Sequence, residues 1–159
     1  MSKTGRIHNF GAGPAVLPLE VVEECQKSLP NLNDSGFGLI EISHRTETFQ
    51  NVVDSSMEKL RRILSIPEDY TVLYLQGGAS LQFYMSALNL LRENEEVDFL
   101  VTGSWSQKSL KEANRIGNAI AIWNDVENGF RSVPNNGDFS VRDDAKYLHY
   151  TSNNTLFGT

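Results

Sequence analysis

An α/β fold with a mostly parallel sheet is predicted by three features of this 159-residue sequence. Short β-rich runs alternate with helical patterns. A glycine-bearing turn twice stands between such a run and the helix after it. With 40% hydrophobic and 21% charged residues, the chain has the composition of an ordinary globular domain and the length to enclose a core.

The elements follow in order. Asn9-Phe10-Gly11-Ala12-Gly13-Pro14-Ala15 is too rich in Gly and Pro for a regular element and reads as an arm or loop. From Pro18 to Leu29, Val21, Val22 and Cys25 lie among Glu20, Glu23, Glu24 and Lys27, a surface-helix pattern with Pro18 suited to a first turn. Breakers fill Asn31 to Gly38. A second helix is expected from Thr48 to Ile63, where Val52, Val53, Met57, Leu60 and Ile63 fall close to helical spacing. Thr71-Val72-Leu73-Tyr74-Leu75 reads as a strand, Gln76-Gly77-Gly78-Ala79-Ser80 as its turn, and the stretch through Leu91 as the next helix. The scheme repeats with strand Val97 to Val101, turn Thr102-Gly103-Ser104 and helix Trp105 to Arg115. Ala119 to Trp123 and Tyr147 to Tyr150 are further strands, with Trp123 expected in the core. Asn124 to Arg142 is polar and Gly-rich, a long loop or a hairpin.

Several function classes are disfavoured. A net charge of −6, with Arg61-Arg62 as the only paired basic step, argues against nucleic-acid binding. No apolar run approaches the roughly 20 residues that span a bilayer, and the first residues lack the apolar stretch of a secretory signal. The single cysteine, Cys25, gives neither a disulfide framework nor a zinc cluster. No metal is expected, and the reducing cytoplasm is the expected compartment. The glycosylation-type triplet Asn153-Asn154-Thr155 is set aside, since a chain without a secretory signal is not expected to meet that machinery.

In open α/β sheets, ligands bind beyond the carboxyl ends of the strands, where helix N-termini offer unpaired N–H groups to anions. Gly77 to Ser80 occupies such a place, either as a plain tight turn or as a phosphate cradle in which Ala79 and Ser80 present amides and a hydroxyl. Lys is absent after the glycines and the G-x-G-x-x-G spacing is not met, which excludes the common nucleotide motifs. Trp105 begins the next helix, where its ring either stacks on a flat ligand or packs on the sheet. His44-Arg45 offers donors to a carboxylate or phosphate; the local alternative is an arginine paired with Glu41 or Glu47. Thr155 either donates to a ligand or caps a turn. His8 has no supporting neighbours, and His149, among apolar residues, reads as a satisfied core histidine.

In their order along the chain, five segments resemble the phosphoserine aminotransferases, fold-type-I pyridoxal-phosphate enzymes of the class V aminotransferase family. They are Asn9 to Ala15, Ile42-Ser43-His44-Arg45, Leu75 to Phe83, Thr102-Gly103-Ser104-Trp105-Ser106, and His149 to Thr155. The resemblance implies an N-terminal arm over residues 1–17, an incomplete pyridoxal-phosphate-binding large domain over 18–159, and an absent C-terminal domain. It gives Ala79 and Ser80 the phosphate of pyridoxal 5'-phosphate, Trp105 its ring and Thr155 its phenolic oxygen. His44 and Arg45 would bind the carboxylate of L-glutamate or the phosphate of 3-phosphohydroxypyruvate. Many relatives carry Arg where this chain has Ser80, so one substrate-binding charge is absent or supplied differently.

The implied reaction is reversible amino transfer in serine biosynthesis, with the phosphohydroxythreonine step of vitamin B6 synthesis as a related use, in a cytoplasmic homodimer. The Schiff-base lysine is not expected in this chain, so no catalytic residue is assigned. Lys108, Lys111 and Lys146 are poor substitutes, being expected on helix or loop positions. The chain alone is therefore expected to be inactive. The other reading is a non-catalytic truncated fragment that binds a phosphate-bearing ligand or a complementing chain.

Overall fold

The computed structural model describes residues 5–159; the first four residues of the expected arm lie outside it. The chain divides into two compact units, Met1–Tyr74 and Leu75–Thr159.

The first unit carries α1 (Leu19–Ser28) and α2 (Glu47–Leu64), with a single 3-10 turn at Leu32–Asp34. Pro18 is the N-cap of α1 rather than part of its first turn. Thr46 caps α2 by accepting the Phe49 amide at 3.3 Å, and Ser65 ends it in the left-handed conformation. Arg61, in the last turn of α2, donates to the carbonyls of Pro67 and Tyr70 and so fixes the turn that follows.

The expected strand Thr71–Leu75 is not a strand. Its residues favour extended backbone, but a strand also needs a ladder neighbour, and none pairs with it among the described residues. Leu73 and Leu75 are 66% and 52% exposed.

The second unit contains α3 (Gly78–Leu90), β1 (Glu96–Val101), α4 (Ser104–Ala113), β2 (Asn118–Asn124) and β3 (Leu148–Tyr150). The strands form one parallel sheet of order β2-β1-β3. Phe99 lies opposite Ala121 on one side and His149 on the other. An irregularity between Phe99 and Leu100 shifts the β2 register. As the central strand, β1 is buried from Val97 to Val101, which is how a parallel strand covered on both faces behaves. Val97, Phe99 and Val101 pack with Ala87 and Leu91 of the α3 region, Ala113 of α4, Ala119 of β2 and Phe130.

A buried aspartate in that strand needs compensation. Asp98 is fully enclosed, and its carboxylate accepts the Arg142 amide at 2.8 Å and Arg142 Nε at 2.7 Å. Arg142 also pairs with Glu96, so the loop before β3 is clamped to β1. The polar stretch from Asn124 to Arg142 is a loop with one 3-10 turn, Val126–Asn128, and no hairpin. Asp125 organises it by accepting Asn128 Nδ2 and the amides of Arg131 and Ser132 at 2.8–2.9 Å. These bonds hold its carboxyl below the usual range, led by the Asn128 contact.

Two core expectations are corrected. Trp123 is half-buried, because β2 is an edge strand with one side uncovered. His149 is half-buried and stacks on Phe99 at 4.5 Å, but its buried Nε2 has no hydrogen-bond partner. Burial pushes its imidazole below the ordinary histidine range.

Candidate functional site

A pocket of about 370 Å³ opens in the second unit, lined by residues from the start of α3, from Trp105 of α4 and from the segment after β3. That volume falls within the range of roughly 300–1,000 Å³ common to small-molecule sites. Ala79, Ser80, Trp105 and Thr155, four of the residues singled out above, all line it.

Gly77 makes the first wall possible. It caps α3 in the left-handed conformation, with φ 88°, where other residues are strained. No side chain caps this end of the helix. The first N–H groups, through Ala79 and Ser80, have no partner within the helix and form an anion-binding end. The helix starts at Gly78, so part of the expected turn is already helical.

The second wall is set by an interlock that sequence reasoning missed. Gly103, before α4, has no side chain with which to cap it. Asn154, fully buried, takes that role from the segment after β3: its Oδ1 accepts the Ser106 amide at 3.3 Å and its Nδ2 donates to Thr102 Oγ1 at 2.8 Å. A Cβ at position 103 would overlap the Asn154 side chain, so the glycine is needed for close approach. Ser106 completes the cap by accepting the amides of Thr102 and Gly103, both at 2.9 Å. The Asn153-Asn154-Thr155 triplet was visible in sequence, but the burial of its middle member was not.

Trp105 and Thr155 are tied together. The indole Nε1 donates to Thr155 Oγ1 at 2.9 Å, which fixes the ring and leaves the threonine proton free to be donated elsewhere. Ser80 is held similarly: Lys108 Nζ donates to its Oγ at 2.9 Å. The sequence singled out Lys108 only as a candidate covalent lysine. Thr151, also lining the pocket, has a buried Oγ1 with no hydrogen-bond partner. With Phe83 and the Trp105 ring as apolar surface, the pocket combines flat walls with hydroxyl and amide donors. Such a lining suits a small flat ligand bearing an anionic group.

His44 and Arg45 belong to the first unit, in the turn just before α2, and both are exposed. The Arg45 amide donates to Ser43 Oγ at 3.3 Å. The expected local pairing of Arg45 with Glu41 or Glu47 is not formed; Glu41 accepts the Gly38 amide instead. Among the described residues there is no cluster of His, Cys, Asp or Glu that could hold a metal, and no helix long and apolar enough to cross a membrane.

Residues 7–159 match the family model described as aminotransferase class-V. The phosphoserine aminotransferase of Desulfotalea psychrophila is 43% identical over 154 residues, covering 97% of this chain and 43% of that protein. A solved phosphoserine aminotransferase, studied for radiation damage of its Schiff base, superposes with a TM-score of 0.89 at 42% identity, over 97% of this chain and 43% of that one. The pyridoxal-phosphate-bound enzyme from Trichomonas vaginalis gives 0.81 at 34% identity, over 93% of this chain and 42% of that one. The chain thus spans about two fifths of the length of the relatives it matches.

Proposed function

The chain belongs to the aminotransferase class-V family, and from that premise we propose that it forms part of a phosphoserine aminotransferase. The reaction is reversible amino transfer between L-glutamate and 3-phosphohydroxypyruvate, in serine biosynthesis. The observation that carries this reading is the convergence of Ala79, Ser80, Trp105 and Thr155 on one pocket. The division into an arm over 1–17 and an incomplete cofactor-binding domain over 18–159 belongs to the same proposal, as does a cytoplasmic homodimer as the working form.

The residues present fit pyridoxal phosphate. The uncapped first turn of α3 and the Ser80 hydroxyl would hold its phosphate, where the helix dipole favours negative charge. The Trp105 ring, fixed through its indole N–H, offers a rigid face to the pyridine ring. Thr155, whose oxygen already accepts from Trp105, would hydrogen-bond the phenolic oxygen through its hydroxyl proton. His44 and Arg45 receive the carboxylate or phosphate of the two substrates. When bound, the cofactor supplies the electron sink that lets the substrate's α-proton leave. No lysine described here is given the proton-shuttling role: Lys108 is engaged with Ser80, and Lys146 pairs with Glu95 at 3.0 Å.

Equilibrium dialysis of the chain against pyridoxal phosphate tests the reading. Saturable binding weakened about tenfold or more by Trp105→Ala is expected, the usual scale for losing one stacked aromatic wall. Binding that ignores this substitution would sink the assignment of the pocket.

A further inference from the structure

We propose that Lys108 is a positioning residue for the phosphate end of this pocket: its ammonium fixes Ser80 as a hydrogen-bond donor and supplies the cation the pocket itself lacks. The inference rests on the pyridoxal-phosphate reading above and deepens it.

The geometry begins with direction. An ammonium can only donate, so in the 2.9 Å contact between Lys108 Nζ and Ser80 Oγ the serine oxygen is the acceptor. The Ser80 proton is then free for another acceptor, and Ser80 stands on the pocket wall. Accepting from a cation also polarises the hydroxyl and makes it a stronger donor. Lys108 comes from the second turn of α4 and Ser80 from the first turn of α3, so one side chain links the two helix starts. The same ammonium lies over the Trp105 ring, 5.9 Å from its centroid.

Charge points the same way. No side chain lining the pocket is charged, so a phosphate there would meet only amides, hydroxyls and the partial charge of a helix end. Lys108 lies in the adjoining cleft, which shares Gly77 and Ser80 with the pocket. Glu112, one turn further along α4 and in that cleft, is the carboxylate expected to neutralise it. It pairs instead with Arg115 at 3.3 Å. Lys108 forms no ion pair among the described residues, so its charge is left for a ligand.

Pyridoxine 5'-phosphate and pyridoxine are the probes, because both are alcohols that cannot condense with lysines and they differ only by the phosphate. Their affinities are measured by equilibrium dialysis for the unaltered chain and for Lys108→Met, Lys108→Arg, Ser80→Ala and the Ser80→Ala/Lys108→Met double variant. Lys108→Met is expected to weaken the phosphorylated ligand about five- to tenfold, the scale of one partly screened charge-assisted contact, and to leave pyridoxine unchanged. Lys108→Arg restores most of the loss, and Lys108→Met costs less when Ser80 is already alanine. The loss also shrinks as salt is raised. The inference is overturned if Lys108→Met, folded by far-ultraviolet circular dichroism, keeps the unaltered chain's preference for phosphate, or if Lys108→Arg fails to restore it. A chain with no preference for the phosphorylated ligand before any substitution would overturn the pocket assignment itself, and the role of Lys108 with it.

Discussion

Around β1, Val97, Phe99 and Val101 sit at the centre of one continuous buried cluster, whereas α1 and α2 in the first unit bury no residue fully. Both units carry apolar periodicity, yet only the second converts it into a core. An apolar stripe is enough to specify a helix, but enclosing a side chain requires neighbours on every side. β1 meets that condition through its two flanking strands, the α3 and α4 residues packed on Val97, Phe99 and Val101, and the Arg142 loop that closes over Asp98. The first unit relies more on local bonds: the Thr46 cap, the Arg61 contacts to Pro67 and Tyr70, and the 2.7 Å bond between Ser56 and Tyr74.

The contrast can be broken most sharply at Phe99. Its truncation in Phe99→Ala is expected to destabilise the second unit by about 3–5 kcal/mol, as for large buried aromatics elsewhere. Denaturant unfolding followed by circular dichroism measures it, and a loss below about 1 kcal/mol would mean that the core is not centred on β1.

A smaller effect comes from His149, stacked on that ring with its Nε2 unpartnered. Because burial depresses its folded-state value, the unfolded chain binds the proton more readily. Its contribution is constant above the unfolded value of roughly 6.5, falls as pH drops below it, and levels off below the folded value. His149→Phe should remove that part of the pH slope while leaving the carboxylate-driven acid limb. An unchanged slope in thermal melts between pH 7 and 5 would contradict this account.

The smallest effect is expected on α2. Ile63 is 72% exposed, so Ile63→Ser should change stability by no more than about 0.5 kcal/mol. A larger loss in the same melts would show that the first unit encloses more than its exposure indicates.

What was legible in sequence follows the same division. The β1-α4-β2 unit could be read because apolar run, glycine turn and helical spacing all pointed the same way. Thr71–Leu75 had equal propensity, but pairing is a property of neighbours, and its extended composition alone did not make a strand. Ala79, Ser80, Trp105 and Thr155 were found as separate candidates, and the pocket joins them. The residues that hold them were harder to see. Asn154 caps a helix that starts 50 positions earlier, at Ser104, and Lys108 reaches Ser80 across 28 positions. Such bonds depend on how distant segments are brought to a helix start, and no local pattern encodes that. Asp98 is a similar case. A charge inside an apolar run looks out of place until Arg142, 44 residues on, comes to meet it.

The bond from Trp105 to Thr155 also makes the pocket optically observable. An indole with its N–H engaged and an ammonium near its ring has surroundings unlike those of Trp123, the other tryptophan, on edge strand β2. With Trp123 replaced by phenylalanine, the remaining emission would arise from a single ring on the pocket wall. Filling of the cavity could then be followed as a change in fluorescence, without a label.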